Sequence, residues 1–153
     1  MMMTYEMNDA LDQVNIQIYK KEFSEGGYVA IAFSEDSSMG EDLVFSCNAN
    51  GVSFGWNQIH TGPPTELEGI DILNDDFKMV NGNFSCSFSL NKLLQFKERG
   101  TSKNLTINFE KDYFLFLAEG PMNGDNKIGM HTEYYASRNM TSLIKDKGKL
   151  KVA

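Results

Sequence analysis

Met39 is the first residue of this sequence whose type and setting suggest chemistry. It stands in SEDSSMGEDLVFSC, residues 34–47, with serines and acidic residues before it and an apolar run after it. A methionine in a polar loop either fills a gap beneath the loop, because its side chain packs adaptably, or offers its sulfur to a specific partner. The neighbouring residues leave both interpretations open.

The sequence contains two histidines, His60 and His131. His60, in NQIHTGPP, directly precedes a turn, which is typical of a surface histidine. His131 ends the run NKIGMH after an Asn-Gly turn, and Gly129 would let another group approach the backbone there. His131 is therefore either bonded to a backbone carbonyl at a strand end or available as a ligand.

Several common kinds of active site find no support in the sequence. There is no GxSxG nucleophile motif, and neither cysteine has a histidine nearby in sequence. Two separated histidines do not supply a tetrahedral zinc site. The glycines of GGYVAIAF precede a predicted strand, whereas phosphate-binding loops open a helix.

Cys47 and Cys86 lie on the apolar faces of two predicted strands, as either a disulfide or two buried thiols. Glycosylation sequons occur at Asn83, Asn104 and Asn139. Asn83 and Asn104 fall on the polar faces of predicted strands, where a glycan would project into water. The sequons favour an extracellular or lumenal location, and in such a compartment a Cys47–Cys86 disulfide is favoured over free thiols.

Charge and hydropathy limit the partners of the chain. The 153 residues carry a net charge of −7, which repels phosphate backbones and anionic lipids, so we expect no nucleic-acid partner. No apolar run reaches the roughly 20 residues that cross a bilayer, so we expect no direct membrane insertion by this chain. The start, MMMTYEMND, lacks the basic and apolar regions of a signal peptide.

Strand-like alternation dominates the chain. In NFSCSFSL, residues 83–90, apolar and polar residues alternate without a fault, and VNIQI, DLVFSC and LTINF follow the same pattern. YVAIAF and YFLFLA are apolar on both faces, as expected of central strands. LNKLLQFKERG, residues 90–100, is either a short helix ended by Gly100 or a strand edge with a loop. The pattern predicts an all-β, antiparallel β-sandwich.

One domain accounts for the length of the chain. We expect residues 1–10 to be an added start or a flexible N-terminus. Residues 11–144 form the predicted sandwich domain. The Lys-rich residues 145–153 are predicted to be a flexible tail.

Two motifs in a fixed order resemble those of a DOMON domain of the ferric-chelate reductase type. They are AFSEDSSMGED at residues 32–42 and GPMNGDNKIGMHT at residues 120–132, with NGVSFGW and NFSCSFS between them. The resemblance extends from about residue 26 to about residue 142. It implies an immunoglobulin-like antiparallel β-sandwich that holds either haem b or, in other branches, a sugar or another ligand.

In haem-carrying DOMON domains the axial ligands are a methionine in the first motif and a histidine in the second. The matching positions are Met39 and His131, which the resemblance therefore implies as metal ligands. Both axial positions would then be filled, and thioether ligation favours the reduced iron, as in electron-transfer haems. Residues expected either to line the haem pocket or to belong to the sandwich core are Phe33, Phe54, Trp56 and Ile128.

The resemblance leaves two functional hypotheses. The first is an extracellular electron-transfer domain of a ferric-reductase-like redox system, whose redox partner is a membrane cytochrome module. The chain would then be the ectodomain of a membrane protein and would hold no complete active site of its own. The second is a haem-free sandwich that binds carbohydrate or another protein, with Trp56, Tyr134 or Tyr135 stacking on a sugar face.

Overall fold

The computed structural model describes residues 1–38, 40–57, 64–124, 127–137, 139–142 and 148–151. Met39 and His60, two of the candidate residues above, lie outside the described residues. The described residues form β-strands and no helix. The strands are β1 (Met2–Asn8), β2 (Gln13–Lys20), β3 (Gly27–Ser34), β4 (Asp42–Asn48), β5 (Gly51–Asn57), β6 (Thr65–Glu68), β7 (Leu73–Val80), β8 (Asn83–Asn91), β9 (Leu93–Glu98), β10 (Asn104–Asn108), β11 (Asp112–Pro121), β12 (Glu133–Ala136), β13 (Thr141–Ser142) and β14 (Gly148–Lys151).

The strands form two antiparallel sheets. The smaller sheet has five strands in the order β14-β1-β2-β8-β7. The larger sheet has nine strands, in the order β10-β9-β6-β5-β4-β3-β11-β12, with β13 also paired to β11. The predicted all-β, antiparallel β-sandwich is confirmed.

The apolar sides of the two sheets face each other and form one core. β8 shows how alternation selects this side, because Phe84, Cys86 and Phe88 are fully buried whereas Ser85 and Ser87 are half-buried. Residues 90–100 contain a strand rather than a helix. Leu94 and Phe96 alternate with exposed neighbours in β9, which is the period of a strand.

Both ends of the chain contribute strands to the smaller sheet. β1 pairs with β2 along its whole length, and Met3 and Tyr5 enter the core. β14 pairs with the other edge of β1. The expected flexible start and tail are therefore regular strands at these positions, because each finds a sheet edge on which to complete backbone hydrogen bonds.

The predicted disulfide is present between Cys47 and Cys86. Cys47 belongs to β4 of the larger sheet and Cys86 to β8 of the smaller sheet, so the bond crosses the core and joins the two layers. Its Cα atoms are 6.4 Å apart. This separation lies within the usual range for disulfides.

Candidate functional site

The middle of the larger sheet is buried on both faces. Every residue of β3 is buried, as its doubly apolar sequence predicts. Val29, Ile31 and Phe33 point into the core, so the alternating residues point to the opposite side, which we call the outer face. The central residues of the outer face are Ala30, Ala32, Val44, Ser46, Phe116 and Ala118, which the strand register places side by side. We call these six residues the outer platform.

The platform is apolar, and most of its side chains are small. Ala30, Ala32 and Phe116 are buried although they do not belong to the core between the sheets. Ser46 satisfies its hydroxyl against the hydroxyl of Ser53 on the neighbouring strand, at 2.8 Å. Four of the six platform residues are thus buried, whereas Val44 and Ala118 are half-buried, and the hydroxyl of Ser46 is paired.

The segment that carries His131 lies against one end of the outer face. A Cβ atom at Gly120 would lie 2.9 Å from the Cα atom of His131, so the two backbones are in contact. The hydroxyl of Tyr28 donates a 2.9 Å hydrogen bond to the carbonyl of Gly129. The amide of Thr132 donates to the carbonyl of Glu119. Because Tyr28 and Gly120 are paired outer-face residues, this segment covers the outer face.

The imidazole of His131 is half-buried and touches an aromatic ring. Its centroid lies 5.2 Å from that of Tyr134, with the rings at 69°, an edge-to-face arrangement. Met130, the neighbouring sulfur, is 86% exposed. Of these two adjacent side chains, His131 is the one that lies against the protein.

The loop that carries Met39 starts and ends on the same outer face. The hydroxyl of Ser34 approaches the carbonyl of Ser38 at 3.5 Å, and the amide of Gly40 donates to the carboxylate of Asp42 at 2.9 Å. Ser34 and Asp42 alternate with the core residues Phe33 and Leu43, so they are outer-face residues. The described residues on both sides of Met39 are thus anchored on the outer face. No atom of Met39 itself is described.

The two anchoring points lie at opposite ends of β3. Ser34 ends the strand beside the Met39 loop, and Tyr28 lies near its start, beside the His131 segment. Six residue steps separate them, which is about 20 Å along an extended strand. The outer platform occupies the space between these two ends.

Asp42, the first residue of β4, is a buried carboxyl directly after the Met39 loop. Its side chain is 1% exposed, and its Oδ1 has no hydrogen-bond partner among the residues that the structure describes. Burial raises the pKa of Asp42 above its ordinary value of 3.8, and the hydrogen bond from Gly40 offsets part of this effect. The start of β4 therefore holds a carboxyl that binds a proton at a higher pH than an exposed aspartate does.

The four predicted wall residues do not line one surface. Phe33 lies in the core, with its ring 5.0 Å from that of Phe109. Phe54 and Trp56 pack against the same core from β5. Ile128 is half-buried in the His131 segment, where it pairs with Met122. Phe33, Phe54 and Trp56 thus occupy the core, which was the alternative that the sequence left open, and only Ile128 lies beside His131.

The predicted glycosylation residues differ in accessibility. Asn104 and Asn139 are exposed, whereas Asn83 is half-buried at the start of β8. Asn104 begins β10, which is an edge strand of the larger sheet. Two of the three sequon asparagines are therefore open to solvent.

A separate depression of about 680 Å³ lies on the smaller sheet. Its lining includes the amides of Asn15 and Gln17 and the hydroxyls of Ser87 and Ser89. None of the predicted site residues that the structure describes borders it. It lies on the smaller sheet, whereas His131 and the platform belong to the larger one.

Within the described ranges, no group of three or more histidine, cysteine, aspartate or glutamate side chains is arranged to share a metal ion. The same ranges contain no helix of the length and hydropathy that would cross a bilayer.

The sequence pattern did not single out Tyr28 or Gly120 as site residues. The sequence predicts that Tyr28 lies in a doubly buried strand, where a ring is expected but the partner of its hydroxyl is not evident. Gly120 opens the second DOMON-like motif, and the position of that glycine directly before a proline was the available signal. The role of both depends on a contact across the sheet, which a one-dimensional pattern does not contain.

Comparisons with known proteins agree with this architecture. The chain is 32% identical over 125 residues to a protein of Danio rerio provisionally named ferric-chelate reductase 1, covering 77% of this chain and 20% of the relative. It is 29% identical over 120 residues to the protein of the same name from Xenopus laevis, covering 76% of this chain and 18% of the relative. The chain therefore spans about a fifth of the length of these curated relatives. No protein-family model matches the chain.

Among solved structures, the cytochrome domain of Myriococcum thermophilum cellobiose dehydrogenase has the same fold. The match has a TM-score of 0.57 at 15% sequence identity, and it covers 88% of this chain and 72% of that domain. The sandwich and the sequence relatives together support a DOMON-type domain. In sequence, it is similar to part of the ferric-chelate reductases named above.

Proposed function

We propose that this chain is a haem b-binding electron-transfer domain in which Met39 and His131 are the axial iron ligands. The observation that carries the proposal is the shared outer face. The described residues flanking Met39 are bonded to outer-face side chains at one end of β3, and the His131 segment lies on outer-face residues at the other end. The two segments therefore approach the outer platform from opposite directions.

The residues of the outer face fit an apolar macrocycle. Ala30, Ala32 and Phe116 supply buried apolar surface, which is the kind of lining that a porphyrin face requires. Met39 and His131 supply a thioether and an imidazole, the donor set of electron-transfer haems. When bound, the haem would supply one-electron chemistry through its iron.

In this function, the chain itself would position the iron ligands and shield the haem from water. Tyr134 supports the His131 ring, and the contact with Gly120 holds the backbone of His131 close to the sheet. The buried platform excludes water from the side that faces the strands, which strengthens electrostatic interactions there. Asp42 would place an ionisable group three residues from Met39.

The relatives support a place in a ferric-reductase-like redox system. Two proteins named as ferric-chelate reductases contain a segment similar to this chain, which spans only about a fifth of their length. We infer that the domain exchanges electrons with a redox partner, and a membrane cytochrome module is our proposal for it. The Cys47–Cys86 disulfide and the exposed sequons at Asn104 and Asn139 support an extracellular or lumenal location.

Titration of the purified chain with haemin tests the proposal. We expect saturation at one haem per chain and a low-spin spectrum in both oxidation states, because both axial positions are filled. Met39→Ala and His131→Ala should each abolish that spectrum, whereas Met130→Ala, which changes an exposed neighbouring sulfur, should preserve it. A wild-type chain that shows no saturable haem spectrum would refute the proposal.

One observation favours carbohydrate as a second candidate ligand. The depression on the smaller sheet is lined by amides and hydroxyls, which are suited to sugar hydroxyl groups. Of the aromatic residues predicted to stack on a sugar, Tyr134 is 59% exposed, but it lies on the other sheet beside His131. Binding of neutral oligosaccharides that Asn15→Ala abolishes, together with failure of the haemin titration, would favour this candidate.

A further inference from the structure

We propose that Tyr28 is a positioning residue whose hydroxyl fixes the His131 segment on the outer face. The inference rests on the proposed function only in its consequence for haem. The structural part concerns the chain alone and can be tested without a ligand.

The hydrogen bond joins two distant parts of the chain. The hydroxyl of Tyr28, in the central strand β3, donates to the carbonyl of Gly129 at 2.9 Å. Tyr28 is 3% exposed, and Gly129 lies two residues before His131. A buried, central strand thereby determines the position of a segment that lies outside the regular strands.

Hydrogen bonds flank His131 on both sides but do not include its backbone. The amide of Gly129 donates to the carbonyl of Pro121, and the amide of Thr132 donates to the carbonyl of Glu119. Among the described residues, the backbone of His131 itself makes no hydrogen bond. The placement of His131 therefore depends on its flanking bonds, and Tyr28 adds the side-chain bond on the Gly129 side.

Close packing makes this bond specific. A Cβ atom at Gly129 would lie 2.7 Å from the carbonyl oxygen of Pro121 and 2.9 Å from Oδ1 of Asn123. A Cβ atom at Gly120 would lie 3.1 Å from the Tyr28 ring. The His131 segment therefore has little room to shift to another register while the ring of Tyr28 remains in place.

The phenol is suited to this role over a wide pH range. Burial raises the pKa of Tyr28 to about 12, so the hydroxyl keeps its proton at neutral and mildly alkaline pH. The donor is therefore present under all conditions in which the proposed electron transfer would be measured.

The test compares Tyr28→Phe with Tyr113→Phe. Tyr113 is a matched control because it is also a buried tyrosine, and its hydroxyl donates to a backbone carbonyl, that of Asn108, at 3.0 Å. Each substitution removes one oxygen atom and leaves the ring. The Tyr113 hydroxyl also accepts a 3.3 Å hydrogen bond from the amide of Asn108, so the control variant loses at least as much hydrogen bonding as Tyr28→Phe. An effect on the His131 segment in Tyr28→Phe alone therefore reflects where the bond is lost.

Amide hydrogen exchange of the haem-free chain is the first readout. Tyr28→Phe should increase the exchange rates of the Gly129 and Thr132 amides about fivefold relative to wild type, as expected for the loss of one hydrogen bond. It should leave the Lys111 amide, which donates to Asn108, unchanged. Tyr113→Phe should show the reverse pattern. Wild-type exchange at Gly129 and Thr132 in Tyr28→Phe would overturn the inference.

Haem dissociation is the second readout. Tyr28→Phe should release haem about fivefold faster than wild type, whereas Tyr113→Phe should not. Equal release rates in the two variants would overturn the link between Tyr28 and the ligand. If the wild-type chain binds no haem, the proposed function fails, and the exchange experiment still decides whether Tyr28 positions the segment.

Discussion

Gly120 and His131 are in backbone contact across the outer face. A Cβ atom at Gly120 would lie 2.9 Å from the Cα atom of His131 and 2.7 Å from the carbonyl oxygen of Met130. Both neighbours are backbone atoms, which cannot move aside as a flexible side chain does. Any side chain at residue 120 must therefore displace the segment that carries the proposed histidine ligand.

Gly120→Ala should consequently impair both stability and haem binding. We expect a loss of about 2 kcal/mol in the free energy of unfolding, because overpacking forces the backbone to shift. Gly124→Ala is the matched control, since a Cβ atom there would meet no heavy atom of the described residues within 4 Å. Urea unfolding and haemin titration measure the two effects. If Gly120→Ala and Gly124→Ala showed the same unfolding free energy and the same haem binding, the contact at Gly120 would not restrict the His131 segment.

The disulfide between the sheets should contribute strongly to stability. It closes a loop over a sequence separation of 39 residues, for which chain entropy predicts about 4 kcal/mol. The Cys47→Ala/Cys86→Ala double variant should lose about that amount of unfolding free energy in urea, with no change in haem stoichiometry. Reduced wild-type protein is the control and should show the same loss. If the double variant and the reduced wild-type protein were as stable as the oxidised wild type, the disulfide would not stabilise the fold.

The buried carboxyl of Asp42 should give the stability a pH dependence of defined sign. Because burial raises its folded-state pKa above 3.8, the folded chain binds this proton more readily than the unfolded chain. The destabilisation is thus present at neutral pH and is relieved as the pH falls through the raised pKa towards 3.8. Asp42→Asn should gain stability relative to wild type as the pH rises from 4 to 7.

Glu110→Gln provides a control of opposite sign for Asp42→Asn. The hydrogen bond from Lys92 lowers the pKa of Glu110, so its stabilisation is present above the ordinary pKa and is lost at lower pH. This variant should lose stability relative to wild type as the pH rises. Urea unfolding at several pH values measures how the stability of each variant, relative to wild type, changes with pH. A flat difference for Asp42→Asn would show that Asp42 titrates normally.

Secretion should reveal whether the sequons are used. In a secretory eukaryotic host, we expect glycans at the exposed Asn104 and Asn139 and none at the half-buried Asn83. Thr106→Ala and Thr141→Ala should each remove the mass of one glycan, and Ser85→Ala should remove none. An unmodified mass for the secreted wild-type chain would contradict the proposed compartment.

Alternation predicted the strands because burial of one face imposes a period of two. This rule identified β8, and the doubly apolar runs predicted β3, which is buried on both faces, and β11, which is buried in its middle and pairs on both sides in the larger sheet. It did not resolve residues 90–100, where the apolar spacing fits a helix and a strand alike. β9 is a strand because it pairs with β6 and β10. Such pairing depends on the whole fold and is not visible in a local sequence pattern.

The candidate site was predictable only in part. The motif resemblance named His131, and the structure places it against the outer face. The apolar character of Phe33 and Trp56 predicts either a pocket wall or the core. Strand register decides which face a residue occupies, and it places both residues on the core side. The sequence does not predict Asp42 as a notable residue. Its Oδ1 lacks a hydrogen-bond partner among the described residues because residues distant in sequence bury it.

The reduction potential of the haem-loaded chain tests the central proposal most directly. Met39→His would exchange a thioether for an imidazole, which favours ferrous iron less. We expect this variant to stay low-spin while its potential falls by at least about 100 mV, within the roughly 0.8 V range that axial ligands control. Met130→His, beside His131, should leave the potential unchanged. An unchanged potential in Met39→His would contradict ligation of the iron by Met39.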